Sequence, residues 1–281
     1  MTQFEQISQH IWIMHAEHET DRPLLAAIVG ERRTLLMDAG ASPSHAAQLR
    51  EELMNRSLRL PDIMMLTHWH WDHSFGLSAW NVPSIGVRET AERLRLLKGL
   101  DWSDKTLNDL VRQQIINDSS AGHIRLEYGA DRNIEIREPD ILFEKKLELD
   151  LGGVSCEIHH VGGDHAGDSC YLFVQEDKTL FLGDALGPSV YGGPRKYTSG
   201  EFLRLTNEAF HFDAHIYVES HSAPVGKAEF RQDIDRYVEL ARLVEACGKN
   251  QTNIEEGMKK FLQVQELPQE FVHALEWFLT D

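Results

Sequence analysis

The stretch "THWHWDHSFG", Thr67 to Gly76, places three histidines and an aspartate within the six positions 68 to 73, directly after the apolar run Ile63-Met64-Met65-Leu66. Imidazole and carboxylate are ligands of divalent transition metals, and a catalytic zinc commonly keeps three of them plus water. In extended chain, residues two apart point to one side, so His68 and His70 can grip one ion while the turn aims Asp72 and His73 at another. A lone histidine here would be read as a polar residue on a wet loop, with Trp69 and Trp71 packed beneath it. Four ligand-type residues in six positions point instead to metal binding.

The surroundings fit an α/β architecture. "PDIMML" is an uninterrupted apolar strand, the kind buried on both faces, so the motif sits in a loop at its C-terminal end, where such proteins place their chemistry. Upstream, "HIWIM", "LLAAIVG" and "TLLMDAG" read as strands, the third ending at Asp38. Ser42-Pro43 opens a helix as cap and first-turn proline, with Leu49 and Leu53 on one face. Residues 87–138 read as a helical insertion, carried by "RETAERLRLLKG" and by "DKTLNDLVRQQII" with Leu107, Leu110, Val111 and Ile115 at helical spacing. Strands are expected again at "ILFEKKLELDLGG", "VSCEIHHV", "SCYLFVQ" and "TLFLGDA", with a turn at Glu176-Asp177-Lys178. After the Gly/Pro loop "GPSVYGGPRKYTSG" come a helix from about Glu201, a strand "HIYVES" and a helical tail. In that tail Ile254, Met258, Phe261 and Leu262 form one stripe and Phe271, Leu275 and Phe278 another, suited to core or to an oligomer interface. The expected organisation is a core over residues 1–225, interrupted by the insertion, and C-terminal helices over 226–281 packed upon it.

Composition narrows the function classes. The chain has 281 residues, 42% hydrophobic, enough for a sizeable core. Its 45 acidic against 28 basic residues give a formal charge of −17, which disfavours nucleic acid and anionic membranes as partners and leaves a small-molecule substrate. Cys156, Cys170 and Cys247 are odd in number and far apart, so no disulfide framework is expected and a reducing compartment is. "MTQFEQISQH" lacks signal-peptide character, and no stretch nears the ~18 apolar residues of a membrane span, so a cytoplasmic protein is expected. A homo-oligomer would form through the insertion or the C-terminal helices.

Further ligand-type residues fall at other strand ends. "HVGGDHAGDS" puts His165 in a glycine-rich turn, "LFLGDA" ends a strand on Asp184, and "IYVESHSAP" ends another on Ser220-His221. Each alone is a weak signal, since Asp184 suits a turn and either histidine a surface. Their recurrence at the ends of core strands is the stronger one.

Asp38 in "MDAG", the His-x-His-x-Asp-His run, His165, Asp184 and His221 stand in the order of five family motifs, and over residues 1 to about 225 the chain resembles the metallo-β-lactamase-fold hydrolase superfamily. The resemblance implies a four-layer αββα sandwich with metals in a groove at one edge. It implies that His68, His70 and His165 hold a first ion, that Asp72, His73 and His221 hold a second, and that Asp184 bridges them. Asp38 would orient the loop and its histidines. The implied cofactor is two Zn2+, with Fe2+ or Mn2+ as alternatives. Ions roughly 3.5–4 Å apart share a hydroxide ready to attack a carbonyl, with Asp72 orienting the water.

Residue identities separate the branches. His70 stands where flavo-diiron relatives usually have Glu, favouring hydrolysis over redox chemistry. Asp184 stands where the B1 β-lactamases carry Cys, as in glyoxalase II and the lactonases, leaving β-lactam hydrolysis a minor activity. Nuclease branches usually add large domains or basic exosites, which do not fit this length and charge. "GGPRKYTSG" resembles the loop in which glyoxalase II offers a Lys and a Tyr to its thiol cofactor, here Lys196 and Tyr197. Lactonases use a tyrosine from this region against the substrate carbonyl, so Tyr197, as catalytic residue, or Tyr191 is a candidate, against the plainer reading of a tyrosine packed under a loop. Ser220, where glyoxalase II has Gly, and the helical insertion depart from that branch. The loop "MHAEHETDRP", with His15 and His18, is expected to overhang the site as a solvated hairpin. The reading is a dinuclear zinc hydrolase of a small ester, thioester or lactone. Its rivals are a mononuclear iron enzyme of the persulfide dioxygenase kind and a non-catalytic metal-binding module.

Overall fold

The computed structural model describes residues 3–280. Two sheets form its centre. One runs β1 (Phe4–Gln6), β2 (Ile11–Met14), β3 (Leu25–Val29), β4 (Thr34–Met37), β5 (Ile63–Met65), β6 (Ser84–Val87) and β7 (Ile141–Phe143), in that spatial order. It is antiparallel from β1 to β4 and parallel from β4 to β7. The other contains β8 (Lys146–Asp150), β9 (Ser155–His160), β10 (Cys170–Val174), β11 (Thr179–Gly183), β12 (Ile216–Glu219) and β13 (Val225–Gly226), antiparallel except for the parallel β11–β12 pair. Outside them lie α1 (Pro43–Asn55), α2 (Trp71–Ser74), α3 (Arg88–Leu97), α4 (Asp104–Arg112), α5 (Asp118–Tyr128), α6 (Ser199–His211), α7 (Lys227–Cys247), α8 (Gln251–Leu262) and α9 (Gln269–Leu279).

The period-two alternation of the strands builds the layers. Leu35 and Met37 of β4, Met65 of β5, and Cys170, Leu172 and Val174 of β10 face one another in a core between the sheets. Their neighbours turn outward: Leu36 and Met64 meet α1 and the insertion, and Tyr171 and Phe173 meet α6 and α7. The expected apolar "PDIMML" is thus buried on both sides, and the result is the αββα sandwich of the sequence reading.

Local signals hold where they are strong. Ser42 accepts from the His45 N–H and Pro43 opens α1. The insertion comprises α3, α4 and α5, and its Leu94, Leu107, Leu110 and Ile124 share one core with Trp71, Phe75 and α1. Three expectations need correction. "ILFEKKLELDLGG" is two strands in different sheets, because the chain crosses from one layer to the other between Phe143 and Lys146. The "DKTLNDLVRQQII" helix stops at Arg112, and Gln114 adopts a left-handed φ of 58°. In the tail Ile254, Met258, Phe271, Leu275 and Phe278 are buried, whereas Phe261 is 45% exposed. No described helix is long and apolar enough to cross a membrane.

Candidate metal centre

The candidate ligands gather at one rim of the sandwich, at the ends of inner strands of both sheets. From β4 comes Asp38, and from β5 comes the Thr67–Gly76 stretch, whose first half is extended and whose second half coils into α2. The turn between β9 and β10 carries His165, the end of β11 carries Asp184, and the end of β12 carries His221. Parallel pairing of β4 with β5, and of β11 with β12, makes these strands end on the same side. Gly76 anchors the stretch: its N–H donates to the Gly40 carbonyl at 2.7 Å, and a Cβ there would lie 2.2 Å from the Ala39 oxygen.

The side chains converge in two groups, His68 with His70 and His165, and Asp72 with His73, Asp184 and His221, the ligand-type atoms of each lying within 4.8 Å of one another. The Asp184 Oδ2 stands between them, 3.2 Å from His73 Nε2 and 3.4 Å from His221 Nε2 on one side, 3.5 Å from His165 Nε2 and 3.9 Å from His68 Nε2 on the other. Asp72 Oδ2 lies 3.1 Å from His73 Nε2 and 3.2 Å from His221 Nε2.

Hydrogen bonds on the far ring nitrogens of His68, His73 and His165 turn their near nitrogens toward the centre. Asp38, fully buried, accepts from the Thr67 N–H at 2.7 Å and from the Thr67 hydroxyl, and His73 Nδ1–H donates to its Oδ2 at 2.8 Å. The Thr67 hydroxyl, committed to Asp38, accepts from His68 Nδ1–H at 3.0 Å. His165 Nδ1–H donates to the Pro188 carbonyl at 3.2 Å. A ring that donates through Nδ1 presents a lone pair at Nε2. The Nε2 atoms of His68 and His165 are buried without a hydrogen-bond partner. Such orphaned acceptors are costly unless something binds them, so the residues present fit a divalent cation.

The electrostatics sort the groups. Burial, then the neighbouring imidazoles, hold His68 and His70 well below the usual histidine value, and burial lowers His165 as well, so all three are neutral ligand-ready rings. Burial would raise Asp184, but His221 and His73 outweigh it and hold the carboxyl well below its ordinary range; Asp72 is lowered in the same way. Burial would lower His221, but Asp184 and Asp72 push it up to about 10, and His73 is raised by Asp72, Asp38 and Asp184. With only side chains present, protons on those two rings balance the carboxylates; a metal ion would displace them.

Residues 25–220 match the sequence profile of the Metallo-beta-lactamase superfamily. The chain belongs to the metallo-β-lactamase superfamily. No curated protein sequence matches it. Among solved structures, a metallo-beta-lactamase from Pontibacter korlensis is 17% identical and superposes with a TM-score of 0.59 over 86% of this chain and 99% of its own. A stereoselective inverting sec-alkylsulfatase from Pseudomonas sp. is 14% identical with a TM-score of 0.67, over 99% of this chain but 47% of its own, so this chain spans about half of that protein. At these identities the likeness establishes the superfamily fold.

A cavity of about 360 Å³ opens on the ligands and is walled by Tyr191, Asn117, Ser120, Arg195 and Asp21. Of the two tyrosines expected from the sequence, Tyr191 is the one at the site: its ring lies 4.4 Å from that of His70, its hydroxyl bonds Ser120 at 2.9 Å, and burial keeps the phenol protonated. Tyr197 is elsewhere. Its N–H donates to the Trp277 carbonyl, its hydroxyl donates to the Leu186 carbonyl at 3.2 Å, and its ring stacks on Phe278 at 4.7 Å, which packs it into the α6–α9 core, away from the candidate ligands. Lys196 is exposed and does not line the cavity; Arg195 does.

Sequence reasoning missed several wall residues of this candidate site. Asp21 comes from the expected overhanging loop, with a left-handed φ of 58°, and lies 3.9 Å from His221 Nδ1 and 3.3 Å from His123. Arg22 beside it pairs with buried Glu127 of α5 at 2.9 Å, fastening that loop to the insertion. His15 instead pairs with Glu5 at 2.6 Å. Asn117 caps α5 and donates to the Val190 carbonyl at 3.2 Å, holding the Tyr191 loop. Glu219 is pushed up to about 7 by burial and by Asp184 and Asp233; its backbone carbonyl accepts from the Ser222 N–H at 3.4 Å, while its carboxyl makes no hydrogen bond or ion pair among the described residues.

Proposed function

We propose that the protein is a dinuclear metal-dependent hydrolase, with zinc as the metal, acting on a small ester, thioester or lactone. The observation that carries this reading is the shared position of Asp184 between two ligand groups, because one carboxylate has two oxygens and can serve two ions. His68, His70 and His165 would hold one ion, and Asp72, His73 and His221 the other. Two such ions would supply Lewis acidity and a water of lowered pKa. The chain's own residues do the rest. Asp38 and Thr67 keep the ring nitrogens of His73 and His68 aimed inward. Asp72, ionised and fixed between two imidazoles, orients a polar group at the site. The protonated Tyr191 hydroxyl offers a hydrogen bond beside His70, and Asn117 and Ser120 shape the wall that receives the substrate.

The test joins metal analysis of the purified protein to a panel of thioesters, lactones, carboxylic esters and β-lactams. A sulfate ester is included because one structural relative bears the name of an alkylsulfatase. Two zinc per chain with turnover of a thioester, lactone or ester, lost in Asp184→Ala and His70→Ala, is the expected result. One iron per chain with oxygen uptake, or no turnover across the panel, overturns the proposal.

A further inference from the structure

Behind the metal cavity lies a second one, of about 320 Å³, between the ends of β11 and β12 and the C-terminal helices. Gly187, Glu219 and Ser222 line both, so the two share a wall. Its volume is at the lower end of small-ligand pockets, too small for a long lipid chain and adequate for a compact group.

The lining has an unusual chemistry. Six aromatic rings contribute, those of Tyr197, Phe202, Tyr217, Phe230, Tyr237 and Trp277. Among the described residues, the charged ones lining it are both acidic, Glu219 and Asp233, with no Lys, Arg or His. Asp233 is at the rim, 61% exposed and 3.7 Å from Arg236. Glu219 is half-buried, and its carboxyl makes no hydrogen bond or ion pair among the described residues. The nearby Arg195 covers Trp277 at 5.6 Å and lines the metal cavity instead. Ring faces carry negative potential, and a cation ringed by them and by a carboxylate is attracted without needing donors of its own. An anionic group would meet two carboxylates, and a neutral group would leave them without a counter-charge.

We propose that this second cavity binds a substituted ammonium group, the cationic arm of the molecule hydrolysed in the adjoining metal cavity. The assignment of the arm to a substrate rests on the hydrolase reading above; the ammonium site itself does not. Three parts of the wall act together. Glu219, which a bound cation would hold ionised, supplies the counter-charge at the wall between the cavities, the rings of Trp277 and Tyr237 line the space beside it, and Gly187 leaves that shared wall without a side chain, since a Cβ there would meet His165 Nδ1 at 3.0 Å.

The first measurement is calorimetric titration of the full chain, both metal-loaded and chelator-treated, with phenyltrimethylammonium and with tert-butylbenzene, its uncharged carbon isostere. One site per chain is expected, preferring the cation by roughly tenfold or more, and weakened by a similar factor in Glu219→Gln and in Trp277→Leu. Thermal unfolding of both variants shows whether they are folded, and the Leu replacement removes the ring while keeping the position apolar. Equal binding of the two probes, or cation binding unchanged in folded Glu219→Gln, overturns the proposal. The second measurement compares kcat/KM of the metal-loaded protein for acetylcholine and for the ester in which carbon replaces the quaternary nitrogen. Preference for the charged ester by roughly tenfold is expected. Equal hydrolysis of both leaves the hydrolase standing and overturns the ammonium arm; cation binding without hydrolysis of any ester overturns the hydrolase and leaves the ammonium site.

Discussion

Asp38→Asn perturbs the centre without touching a candidate ligand. Asp38 sits at a left-handed φ of 62°, which asparagine also tolerates, so the backbone is not expected to move. The aspartate accepts at both oxygens, from Thr67 N–H on one and from His73 Nδ1–H on the other. An amide has one oxygen. If it keeps facing Thr67, the new N–H2 opposes His73 Nδ1, and the ring must move its proton to Nε2, the atom 3.2 Å from Asp184 and aimed at the metal position. If the amide flips, the buried Thr67 N–H loses its acceptor. Loss of such a supporting partner costs about 10–100-fold in metal affinity, and loss of a charged hydrogen bond in a fully buried setting costs about 1.5–3 kcal/mol of folding stability. Competition against a chromophoric chelator measures the first, and denaturant unfolding of chelator-treated protein the second. An Asp38→Asn protein that retains metal within a factor of about three of the parent refutes the argument that Asp38 sets the His73 tautomer.

Three further outcomes are expected. Asp168 is fully buried, donated to by the Thr90 hydroxyl at 2.6 Å, and burial raises its carboxyl from 3.8 to about 7. The fold therefore holds a proton that the unfolded chain releases, so stability falls as pH climbs from about 4 to about 7 and levels off above, by about 4 kcal/mol in all; Asp168→Asn should remove that fall when urea midpoints are compared across the range, and an unchanged pH slope would count against it. Gly76→Ala brings a Cβ against the Ala39 carbonyl at 2.2 Å and should cost about 3 kcal/mol or more, seen as a drop in Tm. Tyr191 stands with His70 and His165 between the metal cavity and a neighbouring one of about 370 Å³. Tyr191→Ala joins the two and should shift kcat/KM toward bulkier acyl groups by roughly tenfold, while Tyr191→Phe, which keeps the ring, should not.

Much of this centre was legible because the chemistry is local. Ligand-type residues at strand ends are visible in "THWHWDHSFG", in "LFLGDA" and in "IYVESHSAP", since a strand's end is marked by where its apolar run stops. The Ser42-Pro43 helix start was legible for the same reason, as its hydrogen bond closes within three residues. The strand "ILFEKKLELDLGG" was not, because both of its halves carry half-exposed patterns and nothing in the chain marks the crossing between layers.

What residue type and period alone determined was the alternation of strands and helices and the ligand-type residues at strand ends; the αββα sandwich and the division of those residues between two ions were implied by the family resemblance. What only the tertiary structure decided was which side chains wall the site. Tyr191 and Tyr197 lie six positions apart in one glycine- and proline-rich loop, with no local signal to separate them. The choice is made by contacts far along the chain, Ser120 holding the first and Trp277 and Phe278 the second. Asp21, Arg195 and Glu219 reach their positions in the same way, because packing between distant segments, rather than local preference, aims a side chain into a cavity.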